Sequence, residues 1–131
     1  MTTIAIAGAT GAVGQQMLEC LKERNIKANL KLLASARSKG KEIDGHIVEE
    51  LTKESFQGVD YVLGATGNDI TKMWMPWAKE AGCIVIDNSS AFRLENDVPL
   101  VIPEVNKEDI KKHHGLIANP NCATIIALVA L

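Results

Sequence analysis

The chain has 131 residues, 47% hydrophobic and 23% charged, with a formal net charge of -2. That balance predicts one globular domain able to bury a core, and it excludes the basic face that a nucleic-acid or polyanion surface needs, so small-molecule partners are expected. Cys20, Cys83 and Cys122 are well separated, with no C-x-x-C pair and no histidines at ligand spacing; neither a disulfide framework nor a metal site is expected. No basic leader precedes the first apolar run and no run reaches bilayer length, which predicts a cytoplasmic protein with no membrane partner.

Short β-branched runs alternate with helical patterns, the signature of an α/β, Rossmann-like parallel sheet with helices on both faces. Thr3 to Ala7 reads as the first strand and runs directly into Gly8-Ala9-Thr10-Gly11-Ala12-Val13-Gly14. A helix follows, with Val13, Met17, Cys20 and Leu21 on one face, which assigns Cys20 to the core. Strand, Gly-rich turn and helix form the context of a dinucleotide fingerprint: glycines admit a pyrophosphate to the backbone, and the helix N-terminus receives its charge. The spacing here is G-x-x-G-x-x-G. Gly8, Thr10, Gly11, Ala12, Val13 and Gly14 are the pyrophosphate candidates.

The second strand, Leu30 to Ala34, ends where an adenosine ribose would lie. An NAD site usually places a carboxylate there, whereas this chain has Ser35-Ala36-Arg37-Ser38-Lys39-Gly40-Lys41. Arg37 offers a guanidinium fork and Ser35 and Ser38 offer hydroxyls, so NADP is preferred over NAD.

Asp44-Gly45 marks a turn before a short strand around His46-Ile47-Val48. Tyr61 to Leu63 is the next core strand, and Ala65, Thr66 and Gly67 form a second small-residue turn beside the cofactor. Ile70, Met73, Trp74, Trp77, Ala78 and Ala81 fall at helical spacing, with a kink expected at Pro76 and a stop at Gly82. Cys83 to Asp87 is another buried strand, with Cys83 as packing. The loop Asn88 to Arg93 then faces the same crevice, offering Ser89 and Ser90 to the cofactor. Arg93 is an anion clamp or a surface arginine paired to Glu95 or Asp97. Val98 to Val105, carrying Pro99 and Pro103, reads as an extended connection that could add an edge strand, and Asn106 as the cap of a short helix from Lys107 to Lys112.

Leu116 to Ala118, then Asn119-Pro120-Asn121-Cys122-Ala123-Thr124, reads as strand, tight turn and helix start. A helix N-terminus favours thiolate over thiol, which makes Cys122 a candidate nucleophile; packing as a small hydrophobe is the alternative. At about 3.3 Å per strand residue, His113 and His114 belong at the opposite sheet edge, and His46 likewise precedes its strand. No partner base is expected. The tail Ile125 to Leu131 is apolar on every side and needs cover, so the chain looks cut short.

GATGAVG at Gly8 to Gly14, SARSKGK at Ser35 to Lys41, CIVIDNSSAFR at Cys83 to Arg93, VPLVIPEVN at Val98 to Asn106 and NPNCAT at Asn119 to Thr124 together resemble the N-terminal, cofactor-binding portion of the aspartate-semialdehyde dehydrogenases. The resemblance spans essentially all 131 residues. It implies NADPH-dependent reduction of L-aspartyl-4-phosphate to L-aspartate 4-semialdehyde and phosphate, feeding lysine, methionine and threonine synthesis through a cysteine thioester. It also implies that Cys122 is the nucleophile, that Arg93 and Asn121 bind the phosphate and order the site, and that the whole enzyme is a homodimer or homotetramer. The family's histidine, glutamine and substrate-carboxylate arginine belong to a second domain, so residues 1–131 are expected to bind NADP with little or no turnover.

The chain departs from common family forms at Gly64 to Gly67, where many members have Phe-Ser-Ala-Gly, and at Ala123 and Ile126, where many have Ser and Gln. N-acetyl-γ-glutamyl-phosphate reductase shares the acyl-phosphate logic, but its thiol usually sits in Asn-Pro-Gly-Cys-Tyr. A noncatalytic nucleotide-binding module is the alternative from another class.

Overall fold

A computed structural model describes residues 1–130. In chain order the elements are β1 (Thr3–Ala7), α1 (Ala12–Glu23), β2 (Asn29–Ala34), β3 (Glu42–Ile43), β4 (His46–Ile47), β5 (Glu49–Glu50), β6 (Tyr61–Gly64), α2 (Asn68–Glu80), β7 (Ile84–Asp87), α3 (Pro103–Asn106), β8 (Leu116–Ala118) and α4 (Cys122–Ala130). Six strands form one parallel sheet in the order β5-β2-β1-β6-β7-β8. The chain builds outward from β1 on one side, then returns to build outward on the other. The switch therefore lies between β1 and β6, where the Rossmann-like arrangement opens its crevice beyond the carboxyl ends of the strands.

Strand alternation divides the core into two layers. Ala5, Ala7, Val62, Val85, Leu116 and Ala118 pack with Trp74, Met75 and Ala78 of α2 and with Phe56, whereas Ile6, Leu32 and Ala34 pack with Leu18 of α1 and with Val48. Helices thus cover both faces. Trp74 and Phe56 are fully buried with their ring centroids 5.6 Å apart, and truncating either to alanine should cost about 3 kcal/mol or more.

Three local readings are corrected. Cys20 is exposed, because α1 turns Gly14 and Leu18 to the sheet and Cys20 lies two residues, or about 200°, around the helix from Leu18. On α2 the buried positions are Thr71, Trp74, Met75 and Ala78, while Ile70 and Met73 remain 48% and 47% exposed; the face that meets the sheet runs through Thr71, whose hydroxyl is satisfied by Thr66, rather than through Ile70 and Met73. Asn106 does not cap the 3₁₀ helix Lys107–Lys112 through its side chain. Instead its Oδ1 accepts from Ile102 N–H at 2.8 Å and its Nδ2 donates to Leu100 O, which closes α3 over the end of the stretch expected to be extended; the start of that stretch is extended, with Leu100 bridged in parallel to Ala118 of β8.

Other readings agree. Gly82, at φ +82°, ends α2 with Gly82 N–H donating to Lys79 O and Cys83 N–H to Ala78 O, a double closure that needs the left-handed residue. Asp44 and Gly45, both at positive φ, turn the β3–β4 hairpin. Cys83 is buried. No residue of α4 is buried, with Ile126 at 70% exposure; the last residue of the apolar tail, Leu131, lies outside the described residues. No helix among the described residues is long and apolar enough to cross a membrane.

Candidate active site

Two cavities open along the carboxyl edge of the sheet. The first, about 330 Å³, is bounded by Gly8 and Thr10 after β1, Ser35 and Ala36 after β2, Thr66 and Gly67 after β6, Glu50 and Leu51 beside them, and Ile70 and Met73 from α2. The exposure of Ile70 and Met73 is thereby explained. They form the apolar wall of a crevice.

Its floor requires glycine for steric reasons. Gly8 sits at φ +90°, and a Cβ there would lie 2.6 Å from Ala65 O. A Cβ on Gly14 would overlap the Gly8 carbonyl and crowd Ala9 Cα at 2.8 Å, so Gly14 sets how closely α1 approaches β1. Gly11 meets nothing nearer than 3.6 Å and stands at the N-terminus of α1, where no side chain caps the helix and no acid occupies the first turn. Uncapped N–H groups beside a close-approaching backbone fit a pyrophosphate.

Thr66 holds the second turn from within. Its hydroxyl accepts from Trp74 Nε1–H at 2.9 Å and pairs with the Thr71 hydroxyl at 2.7 Å. Ser35 and Arg37 are exposed at the end of β2, while Ser38 is buried on the 3₁₀ turn Ala36–Ser38; of these three, Ser35 lines the crevice. The stretch after β2 carries no carboxylate, yet the fold supplies one from its neighbour. β5 pairs parallel to β2 with Ala34 opposite Glu50, which brings Glu50 to the crevice.

The second cavity, about 350 Å³, is bounded by Val13, Asn88, Arg93, Asn119, Pro120, Asn121, Cys122 and Ile125. Cys122 is the first residue of α4. Asn121 precedes it as the cap, its Oδ1 accepting from Thr124 N–H at 2.9 Å, which points the positive end of the helix dipole at the exposed thiol. Arg93 does not pair with Glu95 or Asp97. Its Nε–H donates to Asn119 O at 2.7 Å and its Nη2 to Asn88 O at 3.0 Å, joining the loops after β7 and β8 and leaving Nη1 without a partner among the described residues. The Asn119 amide completes the clasp, donating from Nδ2 to Asn88 Oδ1 at 2.7 Å.

Beneath it lies Asp87, fully buried, with Oδ1 accepting from Ser89 N–H and Oδ2 from the Ser89 hydroxyl at 2.7 Å. Burial pushes the Asp87 carboxyl above the usual carboxylate range, while the Ser89 donors and the Arg93 charge pull the other way. Ser89 is therefore turned inward. Ser90 is held by Asn68, whose Nδ2 donates to its hydroxyl at 2.6 Å.

The structure thus gathers Cys122, Arg93, Asn121 and Val13 around one cavity, and Gly8, Thr10, Ser35, Thr66 and Gly67 around the other. Gly11, Ala12, Gly14, Arg37, Ser38, Ala65, Ser89 and Ser90 line neither. Asn88, Asn119, Glu50, Leu51, Ile70 and Met73 are lining residues that sequence reasoning missed. Among the described residues no histidine lines the thiol cavity; His113 precedes β8, where its Nδ1 accepts from Gly115 N–H, and Cys122 follows β8.

Residues 3–113 match the family model described as semialdehyde dehydrogenase, NAD binding domain. The chain is 47% identical to aspartate-semialdehyde dehydrogenase of Bacillus subtilis over 98% of its own length and 38% of that protein. Among solved structures, aspartate semialdehyde dehydrogenase II of Vibrio cholerae, complexed with ASA, superposes with a TM-score of 0.89 at 48% identity, covering 98% of this chain and 44% of that one. The Candida albicans enzyme with NADP superposes at 0.82 with 26% identity, over 98% of this chain and 45% of that one. The chain spans about two-fifths of the length of the curated relatives it matches. With the glycine-floored crevice at the switch of the sheet and a family match across 3–113, the chain belongs to the semialdehyde dehydrogenase NAD-binding domain family.

Proposed function

We propose that this chain is the cofactor and nucleophile half of an enzyme that reduces L-aspartyl-4-phosphate to L-aspartate 4-semialdehyde with NADPH. The observation that carries the reading is the thiol cavity, which Cys122, at a helix N-terminus, shares with an arginine whose Nη1 has no partner among the described residues. The identity to the Bacillus subtilis enzyme and the ASA complex of the Vibrio cholerae relative support the choice of substrate.

The Cys122 thiolate attacks the acyl carbon of the acyl phosphate; a C–S bond forms, the C–O bond to phosphorus breaks, and phosphate leaves with the bonding pair. Arg93 Nη1 meets the departing charge, and the first N–H groups of α4 face the tetrahedral oxyanion. A reduced nicotinamide dinucleotide held by the crevice residues would supply the hydride that reduces the thioester carbon. Cys122 then departs as thiolate and the aldehyde is released. Gly8 and the uncapped N–H groups at the start of α1, which Gly14 lets approach β1, would hold the pyrophosphate, and Val13 lines the thiol cavity.

NADP is preferred through Arg37 and Ser35 against the opposing carboxylate of Glu50. Arg37→Ala should weaken NADP about tenfold and leave NAD unchanged, whereas Glu50→Gln should strengthen NADP. Equal binding of both dinucleotides, unmoved by either change, contradicts the preference.

With no histidine among the described residues that line the thiol cavity, the chain by itself turns over little, while the crevice binds NADP. The test is to mix the chain with L-aspartyl-4-phosphate and no nucleotide, then weigh it. An aspartyl adduct on Cys122 with one phosphate released is expected; no adduct on an otherwise folded chain overturns the nucleophile assignment.

A further inference from the structure

We infer that Asn88 is a further binding residue of the thiol cavity, donating its amide hydrogens to a phosphate or acyl-phosphate oxygen; this rests on the proposed function. Its carboxamide is oriented by the clasp. Asn88 Oδ1 is taken by Asn119 Nδ2 at 2.7 Å, so Nδ2 is the free end, and it has no partner among the described residues. The backbone is held as firmly. Asn88 N–H donates to Gly64 O at 3.0 Å and its carbonyl accepts from Arg93 Nη2 at 3.0 Å.

Asn121 is arranged in the same sense, with Oδ1 committed to Thr124 N–H and Nδ2 left over. Arg93 spends Nε and Nη2 on carbonyls and keeps Nη1. Three side chains that line one cavity with Cys122 therefore have their acceptors or inner donors satisfied by the protein, with Nδ2 of Asn88, Nδ2 of Asn121 and Nη1 of Arg93 left over. A set of donors with one positive charge suits a tetrahedral oxyanion such as phosphate. Sequence reasoning passed over Asn88 because its role depends on Asn119, 31 residues away, fixing which end of the amide is free.

The test uses the whole chain with Cys20→Ser, which removes the other exposed thiol and leaves the cavity untouched. Alkylation of Cys122 by iodoacetamide is followed with increasing inorganic phosphate. Phosphate should protect the thiol, and Arg93→Ala should remove that protection. Asn88→Ala should raise the half-protecting concentration about tenfold, the loss expected for one hydrogen bond to a charged group.

Asn88→Asp decides the matter, because it keeps the acceptor for Asn119 and so the clasp, but exchanges the donors for a carboxylate oxygen. It should protect less well than Asn88→Ala, at both low and high salt. If Asn88→Asp instead restores wild-type protection, Asn88 only shapes the loop and the inference is overturned while the phosphate reading stands. If phosphate protects no form of the chain, the phosphate reading itself fails and takes this inference with it.

Discussion

The two cavities at the carboxyl edge of the sheet are built by opposite means. The nucleotide crevice is made of absences and backbone: glycines without Cβ atoms at 8 and 14, an uncapped helix start at Gly11, and an apolar wall of Ile70 and Met73. The thiol cavity is made of side chains, with Cys122 surrounded by an arginine and three asparagines whose inner atoms are bonded to one another and to main-chain groups. A crevice of the first kind is finished once the backbone folds. A cavity of the second kind depends on each of those side-chain contacts, and the described residues that line it include no histidine.

The largest expected effect breaks the crevice alone. Gly14→Val drives a branched side chain into the Gly8 carbonyl, and should cost about 3 kcal/mol in urea denaturation and abolish dinucleotide binding. Arg93→Ala attacks the other cavity: it severs both loop contacts, and should eliminate phosphate protection of Cys122 while leaving NADP affinity within about twofold, as measured by fluorescence titration. A large loss of NADP affinity in that variant would show the cavities to be one coupled unit.

Trp74→Phe is milder. It keeps the ring stacked on Phe56 but removes the N–H to Thr66, and should cost about 1 kcal/mol with a small loss of nucleotide affinity.

The smallest effect is one of pH. Because the folded-state Asp87 carboxyl lies above its ordinary value, the folded chain holds that proton more tightly than the unfolded chain does. The stability this gives is complete below the ordinary carboxylate range and fades as pH rises through the raised value. In urea melts between pH 4 and 7, Asp87→Asn should therefore gain on the wild type as pH rises. A difference that stays flat, or falls, excludes an Asp87 that titrates above its ordinary range.

The sequence makes the crevice floor and the thiol legible for the same reason: both depend on residues adjacent in the chain. A strand running into Gly8 to Gly14, and a turn running into Cys122, are local patterns whose geometry follows from glycine sterics and helix ends. Long-range pairings are not written that way. β5 is two residues long and carries no periodic signal, so Glu50 beside Ala34 emerges only from the sheet. The Asn88–Asn119 bond and the two carbonyls held by Arg93 likewise need both loops in place. The misplacement of Cys20, and of Ile70 and Met73, has a different origin: apolar residues at helical spacing show that a face exists, and the fold decides which angle of it meets the sheet.

One preparation of residues 1–131 tests most directly the proposal that the crevice binds NADPH while the chain by itself turns over little. NADPH binding is titrated by fluorescence, and the same sample is then assayed for steady-state NADP reduction with L-aspartate 4-semialdehyde and phosphate. Saturable NADPH binding with little or no turnover is the predicted result. Turnover comparable to that of a full-length relative, or no binding by a folded chain, would contradict it.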